Sequence, residues 1–109
     1  MFQGCYFLHS VKIPDGVTSI GGFAFSGCYL LPSVTIPDSM TSIGGSAFQY
    51  CYLLSFIKFK GSTPATVDSS NAFTGIPTDC IIYVPEGSLE DYEDATNYPD
   101  PDVYSYVEY

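Results

Sequence analysis

The feature that most constrains this chain is a 23-residue repeat, most complete in Cys28–Tyr50, CYLLPSVTIPDSMTSIGGSAFQY. One copy opens at Cys5-Tyr6, the next at Cys28-Tyr29 and a third at Cys51-Tyr52. Self-similarity at a fixed period of about 20 to 50 residues marks stacked supersecondary units, each unable to bury its apolar face alone. Single residues therefore have to be compared with their repeat equivalents before any of them is given a chemical role.

The phenylalanine of the Ala-Phe pair serves as a ruler. Phe2, Phe25, Phe48 and Phe73 each lie 12 residues before Pro14, Pro37, Lys60 and Pro85, so a fourth copy exists, and the third carries two extra residues before Ala72-Phe73. Between these landmarks run Leu8, Val11 and Ile13, then Leu31, Val34 and Ile36, then Leu54, Ile57 and Phe59. Apolar-x-apolar alternation is the signal of a half-buried strand, and Pro14, Pro37 and Pro85 stop it because proline has no N–H to donate. Val17–Ile20 and Met40–Ile43 predict a second, shorter extended segment, ended by Gly21-Gly22 and Gly44-Gly45 at tight corners. Phe23-Ala24-Phe25 and Ser46-Ala47-Phe48 then predict one helical or 3₁₀ turn with its Phe packed inward. Stacked turns would place equivalent residues about 4.8 Å apart. Phe2-Gln3-Gly4-Cys5 aligns with Phe25-Ser26-Gly27-Cys28, so the chain is expected to begin partway through a repeat.

The pattern Ile-Pro-x-x-Val/Met-x-x-Ile-Gly-x-x-Ala-Phe-x-x-Cys-x-x-Leu-x-x-Val, carried by Ile13–Val34 and again by Ile36–Ile57, resembles the BspA-like leucine-rich repeat of bacterial cell-surface proteins. Ile82–Tyr92 is similar to the stretch that closes such arrays, and the resemblance covers about residues 2–92. It implies a leucine-rich-repeat solenoid, mainly β, used for adhesion or protein binding at the cell surface or in secreted form. The expected architecture is a right-handed coil of about 3.5 turns over residues 1–85, with an acidic C-terminal cap and a Tyr-rich tail over 86–109. The third copy departs from the pattern at Phe59-Lys60 and Thr66-Val67, which predicts a bulged loop around Gly61–Ser70.

Charge and composition exclude several partner classes. The net charge is -9, with 12 acidic residues against Lys12, Lys58 and Lys60. Phosphate neutralisation by Lys and Arg is what nucleic-acid binding needs, so no nucleic acid is expected, and an anionic membrane surface is disfavoured likewise. No apolar run approaches the roughly 18 residues of a spanning helix, and MFQGCYF lacks a signal-peptide pattern, so no membrane insertion is expected.

Three evenly spaced cysteines, Cys5, Cys28 and Cys51, invite a disulfide or metal reading, but the fourth copy has Ile76 in the same slot. Isoleucine replaces a buried apolar group and cannot replace a ligand, so these thiols, and Cys80, are read as reduced and packed. Parallel side chains about 4.8 Å apart also exceed the Cβ separation of roughly 3.5 to 4.5 Å that a disulfide wants. Cys5 and His9 could be called a dyad, yet His9 aligns with Pro32 and Ser55, and no residue orients it as a base. No enzyme activity, cofactor or metal site is expected. The late acids, from Asp79 to Glu108, form no calcium-loop pattern and read as a polar cover for the last turn. There Ser88 is expected to N-cap a helix over 89–95.

Two surfaces are left as binding candidates for an extracellular protein or glycan. Tyr6, Tyr29 and Tyr52 share one position in successive turns, either as a contact ladder or as rings that merely stack on one another. The outward row of the main sheet comprises Ser10 and Lys12, Ser33 and Thr35, Phe56 and Lys58, Ile81 and Tyr83, and becomes apolar towards the C-terminus. Val103–Tyr109 alternates with high β-propensity and predicts an added strand on this patch or on the last sheet edge, in its own molecule or in a neighbour. Homodimer formation through the open N-terminal end or through this tail is a further expectation. The competing reading is a structural spacer and C-terminal cap of a longer repeat protein, with no ligand of its own.

Overall fold

A computed structural model of the chain describes Val11 and residues 13–109. The expectations placed on Phe2, Cys5, Tyr6, His9, Ser10 and Lys12 lie outside the described residues. In chain order the elements are β1 (Ser19–Ile20), β2 (Ser33–Ile36), β3 (Ser42–Ile43), β4 (Phe56–Phe59), β5 (Thr66–Val67), β6 (Ile81–Val84), α1 (Leu89–Glu93) and β7 (Ser105–Glu108). They form a solenoid in which each coil contributes one four-residue strand, one two-residue strand and one turn.

The short strands pair in parallel as β1-β3-β5 and the long ones as β2-β4-β6-β7. Register follows the repeat: Ser33 faces Phe56 and Val34 faces Ile57, an offset of 23, whereas Phe56 faces Ile81, an offset of 25. The inward residues Val34, Ile36, Ile57, Phe59, Ile82 and Val84 are all buried. The alternation read from the sequence thus sorts the two faces of the main sheet as a period of two requires.

The third side is a stack of turns. Ala24, Ser26 and Cys28 N–H donate to the carbonyls of Gly21, Phe23 and Phe25, three residues back in each case, and the next coil repeats this at Ala47, Gln49 and Cys51. The turns are not continuous 3₁₀ segments, because left-handed residues interrupt them: Phe23 at φ 62°, Ser46 at 59° and Tyr50 at 64°. Every second N–H is thereby freed to bond the neighbouring coil, as Phe25 N–H does to Ala47 O at 2.8 Å. Inside, Phe25, Phe48 and Phe73 stack with centroids 5.3 and 5.7 Å apart and rings within 8° of parallel. Offset aromatic pairs add about 0.5–1.5 kcal/mol beyond the area they bury.

The corner glycine Gly44 has a different cause from the one expected. Gly21, Gly22, Gly44 and Gly45 all have ordinary φ. What excludes a side chain at Gly44 is the previous coil: a Cβ there would lie 2.6 Å from Gly21 C and closer still to Gly22 N. The requirement is close backbone approach between coils rather than freedom to turn.

The third copy stays in step. In place of a bulged loop over Gly61–Ser70, Thr66 and Val67 form β5 and pair with Ser42 and Ile43, at an offset of 24. One extra residue therefore enters before β5 and the other after it, where Phe48 N–H reaches Ala72 O, 24 residues on rather than the 22 between Phe25 and Ala47. Lys60 replaces the strand-ending proline and uses the N–H this supplies, donating to Ile36 O at 3.0 Å.

The segment after Pro85 covers the last coil. Helix α1 is shorter than the expected span of 89–95, and Ser88 is not its side-chain cap: its Oγ donates to Pro85 O at 2.6 Å. Glu108 of β7 does that work, its Oε2 accepting from Gly87 N–H at 2.8 Å and Leu89 N–H at 3.4 Å. A carboxylate at a helix N-terminus satisfies donors that have no intrahelical partner. The tail forms the expected strand as β7, parallel to β6 of its own chain, with Ile82 opposite Tyr106.

Candidate functional site

The cysteine row is core. Cys28 and Cys51 have no exposed surface, Ile76 continues their row, and Cys51 and Cys80 are free thiols. Cys51 Sγ donates to Phe25 O at 3.3 Å. Burial, with the Cys28 thiol adding to it, pushes the Cys51 pKa up to about 12. Burial next to Asp79 does the same for Cys80, also to about 12. Thiols held protonated in this way are poor nucleophiles and poor metal ligands. Among the described residues no three His, Cys, Asp or Glu side chains gather as a metal site would require. No described helix is long and apolar enough to cross a membrane.

The tyrosine row is formed as expected where it is described. Tyr29 and Tyr52 stack with centroids 5.1 Å apart and planes 16° from parallel, and remain 39% and 51% exposed. Both readings of the row meet here: the rings do stack on each other, and the stack faces solvent. Two neighbours were not anticipated, Tyr50 at 40% and Leu53 at 55% exposed. Tyr50 lies 5.8 Å from Tyr52, tilted by 34°. A signal for it was available, since Tyr50 occupies the slot of Gly27 and Gly75 and shares their positive φ. A tyrosine held in a glycine conformation presents its ring outward beside the ladder.

The outward face of the main sheet is less open than its composition implied. Thr35 is exposed, while Ser33, Phe56, Lys58, Ile81 and Tyr83 are half-buried. Phe56 packs edge-on against Tyr83 at 5.6 Å, and Lys58 Nζ sits 4.4 Å from the centre of the Tyr109 ring. The apolar patch is thus self-covered in part: β7 extends the sheet and Tyr109 folds back over Lys58. Lys60 makes a 3.7 Å ion pair with Asp15, exposed and of little energetic weight.

The C-terminal tyrosines do something the sequence reading did not foresee. Thr18 O and Thr41 O accept N–H groups from the following coil, as do Ile20 O and Ile43 O. Their equivalents in the last short strand are Ala65 O and Val67 O. Tyr98 Oη donates to the first at 2.7 Å and Asn97 Nδ2 to the second at 2.9 Å. The same substitution occurs on the main sheet. Ile36 O takes the N–H of Lys60, but the residue at the next level is Pro85, which has none. Tyr109 Oη donates to Phe59 O instead, at 2.8 Å. Tyr92 Oη reaches Gly61 O at 2.6 Å, and Tyr104 Oη reaches Ile76 O at 2.9 Å. Burial raises the pKa of Tyr92, Tyr98 and Tyr106, with neighbouring phenols and, at Tyr106, Glu93 and Asp100 adding to it. Tyr104 and Tyr109 are raised as well, by burial first.

Comparison with known proteins bears on the repeat. A family model described as BspA type leucine rich repeat region (6 copies) matches residues 1–94. No curated protein matches the chain. Proteins of this repeat family are generally non-enzymatic and typically stand on bacterial surfaces. With most of its length matched, and with parallel strands, stacked phenylalanines and buried cysteines in register, the chain belongs to the BspA-type leucine-rich repeat family.

Proposed function

We propose that this chain is a non-catalytic interaction module of a bacterial surface or secreted protein, contacting an extracellular protein or glycan. The observation that supports this best is the exposed aromatic group of Tyr29, Tyr50 and Tyr52, whose rings lie against one another. Large rings with few rotatable bonds lose little entropy on contact, and the solenoid holds them at fixed spacing. Because Tyr29 and Tyr52 stack face to face, they offer ring edges and phenol groups to a partner rather than open faces. Ser33, Thr35, Phe56, Lys58, Ile81 and Tyr83 form the second candidate surface, and Tyr6 is proposed to extend the row.

The test is a binding screen on immobilised extracellular-matrix proteins and glycans with the wild type and with Tyr6, Tyr29 and Tyr52 replaced by Ala. Binding that is lost while the melting curve is kept supports the module. Binding that is unchanged supports the spacer reading, which the elaborate closure of the last coil favours in its own right.

A further inference from the structure

On the turn side of the coil, inter-coil hydrogen bonds run in one direction. Phe23, Phe25 and Gly27 N–H donate to Gly45, Ala47 and Gln49 O of the next coil. Phe48 and Tyr50 N–H donate in turn to Ala72 and Thr74 O, at 2.8 and 2.7 Å. The next donors in this register are Phe73 and Gly75 N–H, and they have no acceptor among the described residues. The strand sides differ, since the carbonyls of Ala65, Val67 and Phe59 are taken by Tyr98, Asn97 and Tyr109. The C-terminal segment closes two sides of the last coil and leaves the third open.

The returning chain passes in front of this third side without bonding its donors. It leaves a cleft of about 290 Å³, lined among others by Ser70, Phe73, Gly75, Tyr98, Asp100 and Tyr104. We propose that this cleft binds a short extended stretch of a basic peptide, whose carbonyls at i and i+2 accept from Phe73 and Gly75 N–H. The spacing is set by the ladder itself, because Ala72 and Thr74 present their carbonyls two residues apart to the equivalent donors below. The site continues the coil-on-coil interface and works by main-chain addition, with affinity from the backbone and selectivity from the lining.

Geometry and charge fix the occupant. A whole coil of a second copy cannot stack here, because Asn97 and Tyr98 already stand on the Val67 and Ala65 carbonyls where its short strand would lie. Only a few residues fit between them and the turn. Asp100 lines the cleft with no ion pair to a Lys among the described residues, and the whole chain carries -9, so a segment bearing Lys or Arg is drawn in and an acidic one repelled. The proposal does not rest on Tyr29 or Tyr52.

The test is amide-resolved NMR on the full ¹⁵N-labelled chain, titrated with Ac-Lys-Val-Lys-Val-Lys-NH2 and, separately, with Ac-Glu-Val-Glu-Val-Glu-NH2. Saturable downfield shifts of Phe73 and Gly75 amide protons are expected with the first peptide and not with the second. Asp100→Asn keeps the oxygen that accepts from Asp102 N–H and should weaken binding by about threefold to fivefold. Ser70→Trp, at an exposed rim position, should abolish it; should that variant not fold, the Asp100→Asn result decides. Replacing Tyr29 and Tyr52 by Ala should leave the shifts in place. Unmoved Phe73 and Gly75 signals, equal response to the acidic peptide, or shifts confined to the acids of α1 would overturn the proposal.

Discussion

Tyrosine is used in two opposite ways in this molecule. On the coils, Tyr29 and Tyr52 stand outside the core with rings stacked and 39% and 51% of their surface in water. In the C-terminal segment, Tyr92, Tyr98 and Tyr104 reach inward while Tyr109 keeps about half its surface exposed, and each of the four phenols donates to a main-chain carbonyl of the coil region. The contrast follows from how a solenoid ends. Every interior coil has its edge carbonyls satisfied by the N–H groups of the next, and the last coil has no next coil. A buried carbonyl left unpaired costs about 1–3 kcal/mol, so an end needs donors as well as apolar cover. Phenol supplies both: a ring to pack on Phe59 or Phe73 and a hydroxyl at its tip.

The comparison can be broken most severely at the coil-on-coil contact. Gly44→Ala should cost on the order of 3 kcal/mol or unfold the chain, because its Cβ meets the backbone of Gly21 and Gly22, which cannot yield as a side chain would. A urea titration followed by circular dichroism measures this. A smaller loss is expected at the end of the coil: Tyr98→Phe keeps the ring and strands Ala65 O, so about 1–3 kcal/mol should go. Tyr92→Phe should behave alike through Gly61 O.

Alkaline pH tests the same donors together. A phenol or thiol whose pKa is raised by folding holds its proton more tightly folded than unfolded, so its contribution is complete below the unfolded pKa. It is then lost as pH rises towards the folded value. For Cys51 and Cys80 that window runs from 9.0 to about 12. For the C-terminal tyrosines it opens near 10. The urea midpoint should therefore be flat between about pH 7 and 8.5 and fall steadily above about pH 9. The least effect belongs to the coil ladder: Tyr52→Phe removes a hydroxyl with no hydrogen-bond partner among the described residues and should change stability by under about 0.5 kcal/mol.

Much of the fold was legible because the repeat aligned each residue with its own equivalents. Val34, Ile57 and Ile82 occupy one slot, and an apolar residue kept in that slot reads as core without any structure. Ile76 in the cysteine slot settled the thiols in the same manner. The closure of the last coil was not legible, since it depends on which carbonyls lack donors. Tyr98 is 33 residues from Ala65, and Tyr109 is 50 from Phe59. Nothing periodic links them. Glu108 capping α1 escaped for the same reason, and Ser88, the local candidate, spends its hydroxyl on Pro85 O. Gly44 was flagged correctly and explained wrongly, because a glycine run looks alike in sequence whether it turns the chain or lets two backbones touch.

The most direct test of this account is a spectrophotometric titration of the tyrosines in the native chain, with backbone circular dichroism recorded on the same samples. The phenols of Tyr92, Tyr98 and Tyr106 should withhold ionisation until the backbone signal collapses, so that part of the absorbance change coincides with unfolding. Ionisation of all ten tyrosines near pH 10, with the backbone signal still native, would contradict it.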